Sequence, residues 1–225
     1  MTAAVDKTAI RHAATVLLVR AGSDGPQVLM GQRGSRAAFM PDKFVFPGGA
    51  VDASDFVVPL ARPLDAECAA RLSLDPPGPQ ALAAAAIREL WEETGLMLGV
   101  AGAWPSPPAD WQRFAEHGLL PDASGLRYIF RAITPPGRPR RFDARFFLAD
   151  AGHVVGDLDD FSAACEELSH LHWVPFATAR KLNLPFITEV VLAEAQARIM
   201  GEDMPPSVPF FDNSTGVSRF HRIEL

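Results

Sequence analysis

Apolar positions along the chain change spacing several times, and each change marks an element. Ala13–Arg20 and Gln27–Arg33 are short runs rich in Val and Leu. The turn-forming stretch Gly22-Ser23-Asp24-Gly25-Pro26 lies between them, and together the three segments predict a β-hairpin. Lys43–Pro47 predicts a third strand. It stops at Pro47-Gly48-Gly49, where the backbone gains freedom to turn sharply or to approach a ligand closely. Ala50 to Gln80 is irregular, with a short helix expected around Ala66–Leu72 and a Pro76-Pro77-Gly78-Pro79 run before the next element, so this stretch reads as an insertion.

Ala81–Thr94 is the clearest helix: alanine-rich at first, free of internal Gly and Pro, and followed by Gly95 as a C-cap. At about 100° per residue, Ala83, Ile87, Leu90 and Thr94 share one face, and Glu89, Glu92 and Glu93 fall on the roughly opposite one. A further helix is expected at Ala109–His117. Leu126–Thr134 and Arg141–Ala149 predict a strand pair joined through Pro135-Pro136-Gly137. His170–Val174 predicts another strand, and Phe176–Lys181 and Phe186–Met200 predict helices separated by Pro185. Gly201–Leu225, with three Pro and mixed polarity, reads as an ordered but irregular arm. We see no internal repeat or low-complexity linker, so residues 1–225 are expected to form one α/β domain.

Composition narrows the function classes. Hydrophobic residues make up 48% of the chain and charged ones 21%, without an apolar run approaching the ~18 residues that span a bilayer. The first twenty residues lack the pattern of a secretory signal, and a soluble, cytoplasmic protein is expected. A net charge of −6 argues against a large nucleic-acid footprint, despite a local basic cluster of Arg138, Arg140, Arg141 and Arg145. Cys68 and Cys165 lie in separate segments without metal-ligand spacing and read as two buried thiols.

The chemistry concentrates on the central helix. Carboxylates at i, i+3 and i+4 repel one another by about a few tenths of a kcal/mol per pair. A hard divalent cation such as Mg²⁺ or Mn²⁺ would offset that, because it takes oxygen ligands and leaves positions for water and substrate phosphates. For a generic helix the alternative is a solvated acidic face balanced by Arg88, four residues before Glu92.

The surrounding residues decide between these readings. Arg88-Glu89-Leu90-Trp91-Glu92-Glu93-Thr94-Gly95-Leu96, downstream of Phe44-Val45-Phe46-Pro47-Gly48-Gly49, resembles the Nudix box, G-x5-E-x7-R-E-U-x-E-E-x-G-U with U a bulky aliphatic residue. Its second half matches at every fixed position. The resemblance implies an α/β fold, the Nudix α/β/α sandwich with a mixed β-sheet and C-terminal helices. It also implies Glu89, Glu92 and Glu93 as ligands of Mg²⁺ or Mn²⁺, with Glu89 and Glu93 counted among the catalytic groups. The box is split, however. Gly49 lies 39 residues before Arg88 where the pattern has 14, so 25 extra residues fall inside it. Counting forward from Gly49 puts Asp55 at the place of the first Glu, and counting back from Arg88 puts Gln80 there. In the family that Glu fixes the loop through the box Arg, so Asp52 or Asp55 is the candidate to support Arg88.

A long insertion here resembles one branch of the family, the peroxisomal coenzyme A diphosphatases of the nineteenth Nudix type. The same branch has an aliphatic residue and Asp after Phe-Pro-Gly-Gly, as in Ala50-Val51-Asp52, then Thr-Pro, Arg-Phe-Asp and Phe-Phe. Here these are Thr134-Pro135 and Arg141-Phe142-Asp143-Ala144-Arg145-Phe146-Phe147. The resemblance covers most of residues 12–200 and implies hydrolysis of coenzyme A or an acyl derivative to 3′,5′-ADP and a phosphopantetheine. ADP-ribose, NADH or a dinucleotide would use the same box with a different pocket. A ligand sensor on this fold is the reading from another class, although such modules usually lose box carboxylates. A small nucleoside diphosphate derivative is the expected partner, and a homodimer is open.

Family members draw the general base from the box or from an acidic residue before a Trp-Val-Pro strand. Glu166 and Glu167 precede Trp173-Val174-Pro175, and position favours Glu167, with a solvent-facing acidic pair as the alternative. His170 and His172 alternate with Leu171 and Trp173, so one of them should face solvent. Arg33, Arg36, Arg141 and Arg145 are candidates for bidentate phosphate contacts, with Gly48 and Gly49 offering close backbone approach. A solvated strand face is an equally open reading for each Arg. Phe44, Phe46 and Trp91 are expected to serve the core.

Overall fold

The computed structural model describes residues 9–35, 37, 39–201 and 206–225. In chain order, the elements are β1 (Ile10–Gly22), β2 (Gly25–Arg33), β3 (Phe44–Val45), β4 (Gly48–Ala50), a 3₁₀ turn at Ala53–Phe56, α1 (Ala66–Leu72), α2 (Pro79–Thr94) and β5 (Met97–Ala101). A 3₁₀ turn at Ala109–Trp111, α3 (Gln112–Glu116), β6 (Leu119–Pro121), β7 (Arg127–Ile133), β8 (Arg141–Asp150) and β9 (Val154–Val155) follow. The chain ends with β10 (Leu168–Pro175), α4 (Phe176–Ala179), α5 (Phe186–Ile199), β11 (Val208–Asp212) and β12 (Arg219–Ile223).

Among the described residues the main sheet runs β10-β2-β1-β8-β7-β11-β12, with β3 paired to β2 and β4 to β1. It is mixed: β1 lies parallel to β8, and β7 parallel to β11, and the remaining pairs are antiparallel. A strand buried on both faces reads as a nearly continuous apolar run, which is why β1 lacks alternation. Ala14, Val16 and Leu18 of β1 pack under α2, while Leu17 and Val19 pack toward α4 and α5. Two apolar layers result, one on each side of the sheet, giving an α/β/α sandwich. Helix α2 is covered almost all round: Ala81 through Arg88 is buried, as are Leu90, Trp91, Glu93 and Thr94. Its first half is alanine because only a methyl fits between the sheet and the insertion.

The structure departs from the sequence expectations at four places. Lys43–Pro47 is not one strand. Phe44–Val45 pairs with β2 and Gly48–Ala50 crosses to pair with β1, and Pro47, which has no N–H to give, contributes its carbonyl to Val16. The tail is not irregular, because β7 leaves an edge in register to accept a strand. Phe210 pairs opposite Arg131, and β12 folds back antiparallel on β11. The small sheet β6-β5-β9 is additional. Of the two cysteines, both of which are free, Cys68 is buried as expected and Cys165 is exposed. No helix of the described residues is long and apolar enough to cross a membrane.

Candidate active site

Helix α2 ends where Gly95 takes a left-handed conformation, φ 78°, and its N–H bonds back to the Trp91 carbonyl. That cap fixes the last turn, and with it the directions of Glu89, Glu92 and Glu93. Glu89 and Glu93 face the backbone of β4, while Glu92 is partly exposed. The Gly48 N–H donates to Glu93 Oε2 at 2.7 Å. A side chain on Gly48 would collide with the Ala14 carbonyl and Thr15 of β1, and one on Gly49 would stand 2.5 Å from both oxygens of Glu89. The two glycines therefore serve the carboxylates sterically, letting the loop lie flat against them. We expect Gly49→Ala to leave the fold intact, because the Glu89 side chain is able to shift, yet to lower kcat about 10²-fold through misplacement of that carboxylate. Activity within twofold of wild type in steady-state assays would show that Glu89 has no need of this position.

Arg88 organises the group from beneath. Its Nε and one terminal nitrogen bond both oxygens of Asp55 at 3.0 Å, and that same terminal nitrogen also donates to the Ala50 carbonyl. The other terminal nitrogen reaches Glu89 at 2.8 Å and Glu92 at 3.1 Å. Asp55 is fully buried and its second oxygen also accepts the Asp52 N–H, so of the two Asp candidates it is the one in hydrogen-bond contact with Arg88. Asp52 is half-exposed, 3.8 Å from Arg88, and pairs with Arg11 at the surface. Gln80, which counting back from Arg88 puts at the place of the first Glu, donates to the Val58 carbonyl and ties the insertion to α2.

Burial dominates the electrostatics. It pushes Glu89 up to about 7, even though Arg88 pulls the other way. It also raises Glu92 somewhat and Glu93 strongly, with Glu89 adding repulsion at Glu93. Arg88 is held firmly protonated: its burial opposes the charge, but the bonds from Asp55 and the nearby Glu89 and Glu92 more than offset that. One oxygen, Glu93 Oε1, is buried without any hydrogen-bond donor. Such an orphaned acceptor costs about 1–3 kcal/mol or more if charged. Among the described residues no three His, Cys, Asp or Glu side chains converge on one point as the group stands, with Arg88 occupying Glu89 and Glu92. The donor set nonetheless fits a hard cation: only carboxylate oxygens, those of Glu89 and Glu93 largely buried, with Glu93 Oε1 lacking any donor.

The other sequence candidates separate. Glu167 lies close enough to Glu89 and Glu93 to repel both, while Glu166 is exposed. Arg33 pairs one terminal nitrogen with Glu167 at 2.9 Å, while its buried Nε has no hydrogen-bond partner. Arg36 lies outside the described residues. Arg145 is 2% exposed and fully committed to protein groups, donating to the Asp143 and Pro76 carbonyls and lying 3.1 Å from His12. With Arg131, which bonds both oxygens of Asp143 and reaches Asp75, it pins residues 75–76 of the insertion onto the sheet. Arg141 spends its guanidinium on the carbonyls of Thr134, Asn213 and Ser214. Periodicity placed Arg141 and Arg145 on one strand correctly; Arg145 pairs with Asp143 of the same strand and bonds the insertion, and Arg141 bonds the end of β7 and the C-terminal segment. His170 and His172 are both exposed, because a bulge between Ser169 and His172, with His170 at φ 51°, breaks the alternation. Trp91 and Phe46 are buried core residues, and Phe44 packs at the core edge against His172.

A mixed-sheet α/β/α sandwich, with a glycine loop laid against helix-borne carboxylates and an arginine clamp beneath them, defines a Nudix-type fold and site. The NUDIX domain family description matches residues 10–194, and the chain belongs to the Nudix family. It is 31% identical over 206 residues to acyl-coenzyme A diphosphatase NUDT19 of Gallus gallus, covering 61% of this chain and 54% of that protein. It is 29% identical over 177 residues to the putative nudix hydrolase 7 of Caenorhabditis elegans, covering 73% of this chain and 51% of that protein. The chain thus spans about half the length of the curated relatives it matches. Among solved structures it is similar to a NUDIX hydrolase from Alicyclobacillus acidocaldarius, with a TM-score of 0.64, 28% identity, and 88% and 99% of the two chains covered.

Proposed function

We propose that this protein is a divalent-metal-dependent hydrolase that cleaves the diphosphate linkage of a nucleoside diphosphate derivative, with coenzyme A or an acyl-coenzyme A as substrate. The observation that carries the reading is Glu93 Oε1, buried and unpartnered beside Glu89 and Glu92. Glu89, Glu92 and Glu93 would hold Mg²⁺ or Mn²⁺, which when bound supplies charge neutralisation for the phosphate oxygens and a more acidic water. The chain's own groups do the rest. Gly48 and Gly49 keep the loop against Glu93 and Glu89, and Arg88 on Asp55 fixes the helix end from which the carboxylates project. Glu167, half-exposed beside them, accepts the proton from the attacking water as it adds to phosphorus and the bridging oxygen leaves.

The substrate assignment rests on the similarity to an acyl-coenzyme A diphosphatase and on the insertion that splits the box. The reading carries with it a cytoplasmic enzyme with a small-molecule partner and no nucleic acid. Incubation with coenzyme A, acyl-coenzyme A, ADP-ribose, NADH and diadenosine polyphosphates in Mg²⁺ or Mn²⁺, followed by mass spectrometry, tests it. We expect preferential formation of 3′,5′-ADP from the coenzyme A compounds. Preferential AMP release from ADP-ribose, NADH or a dinucleotide would overturn the substrate, and no cleavage of any compound would overturn the enzyme.

A further inference from the structure

Glu167 is the candidate base, and its side chain is 53% exposed with an open route to solvent. Long, half-exposed side chains sample several rotamers unless something holds them. What holds this one is Arg33. The register of β10 on β2 places Leu168 opposite Arg33, which brings the chain at Glu167 next to Arg33, and the two side chains meet there. Arg33 is 15% exposed, and its own backbone is fixed by bonds to the loop before β3, from Arg33 N to the Lys43 carbonyl and from Asp42 N to the Arg33 carbonyl. The contact is made to Oε1 at 2.9 Å. Immediately after this pair, β10 bulges between Ser169 and His172, with His170 at φ 51°. Bulges of this kind redirect the strand end and the side chains on it, and backbone strain is tolerated where function requires a fixed direction.

We propose that Arg33 is a positioning residue that holds the Glu167 carboxylate in the site through this ion pair, and not a contact for substrate phosphate. The inference rests on the proposed hydrolase reading. Arg33 engages Oε1 and leaves Oε2 to take the proton from water, so its contribution enters kcat through Glu167 and leaves ground-state binding alone. Lys can supply the charge but not the planar fork, and should restore the effect only in part.

The test is a double-mutant cycle of Arg33→Ala and Glu167→Gln, with Arg33→Lys, measured on coenzyme A and on ADP-ribose. We expect Arg33→Ala to lower kcat about 10²-fold, the lower end of what general base catalysis contributes, with KM changed less than about twofold. The double variant should be no slower than Glu167→Gln alone, and Arg33→Lys should recover only part of the loss. Additive losses, or a raised KM at unchanged kcat, would assign Arg33 to the substrate and overturn the proposal while leaving the hydrolase reading intact. A crystal structure of Arg33→Ala gives the same decision without any turnover. Glu167 turned to solvent supports the role, and Glu167 keeping its wild-type rotamer sinks it even if neither compound is a substrate.

Discussion

Glu93→Gln is expected to abolish turnover, on the order of 10³-fold, the upper end of what the loss of one electrostatic contact at a reacting phosphate costs, while leaving the metal-free protein at least as stable as wild type. The two effects have one cause. Glu93 is buried, Oε1 has no donor, and burial together with Glu89 disfavours its charge. Gln retains the carbonyl oxygen that the Gly48 N–H requires, and it removes the desolvated charge. Metal stabilisation follows the same logic in reverse. A cation present at about 100 times its dissociation constant adds about 2.7 kcal/mol to the folded state, which for a chain of this size is a rise in Tm of about 5–10 °C. Thermal denaturation with and without Mn²⁺ should show that rise in wild type and not in Glu93→Gln. If the variant kept both activity and the metal-dependent rise, the carboxylate cluster would not be the metal site.

Arg88→Ala should be the most damaging substitution for stability. It leaves Asp55 fully buried with its charge uncompensated and removes the bonds to Glu89, Glu92 and the Ala50 carbonyl. Breaking a buried pair on one side costs about 3–5 kcal/mol, which corresponds to a fall in Tm on the order of 10 °C. Asp55→Ala should fall similarly, because it strands Arg88. The double variant should recover part of the loss, since no lone charge is then buried. Calorimetry on the two single variants and the double checks this. Strictly additive losses would mean that Arg88 and Asp55 do not act as a pair, and that the split box has no substitute for its first Glu.

The secondary elements that bear the chemistry were legible because local physics sets them. The β1–β2 hairpin, α1, the central helix with its Gly95 cap and the strand pair β7–β8 all fall within a few residues of their expected places. Each is carried by short-range patterns: turn residues between apolar runs, uninterrupted helix formers, and a left-handed glycine at the helix end. Counting forward from Gly49 leads to Asp55, and Asp55 is the carboxylate that Arg88 bonds, since a residue held in a loop next to the turn keeps its spacing from that turn.

What the sequence could not settle depends on groups distant along the chain. Local spacing leaves Arg145 open as a phosphate contact or a solvated residue, and the fold instead buries it against Asp143, His12 and the insertion; β10 brings Glu167 beside Arg33. The tail looked irregular because its reason to be a strand is the waiting edge of β7, near its N-terminal side in space but far away in sequence. A residue's type and local spacing determined that this protein carries a Nudix box with three carboxylates and a basic clamp. Only the tertiary structure decided which arginines remain to meet a ligand, because a charge is spent on whichever partner the fold places within hydrogen-bond reach.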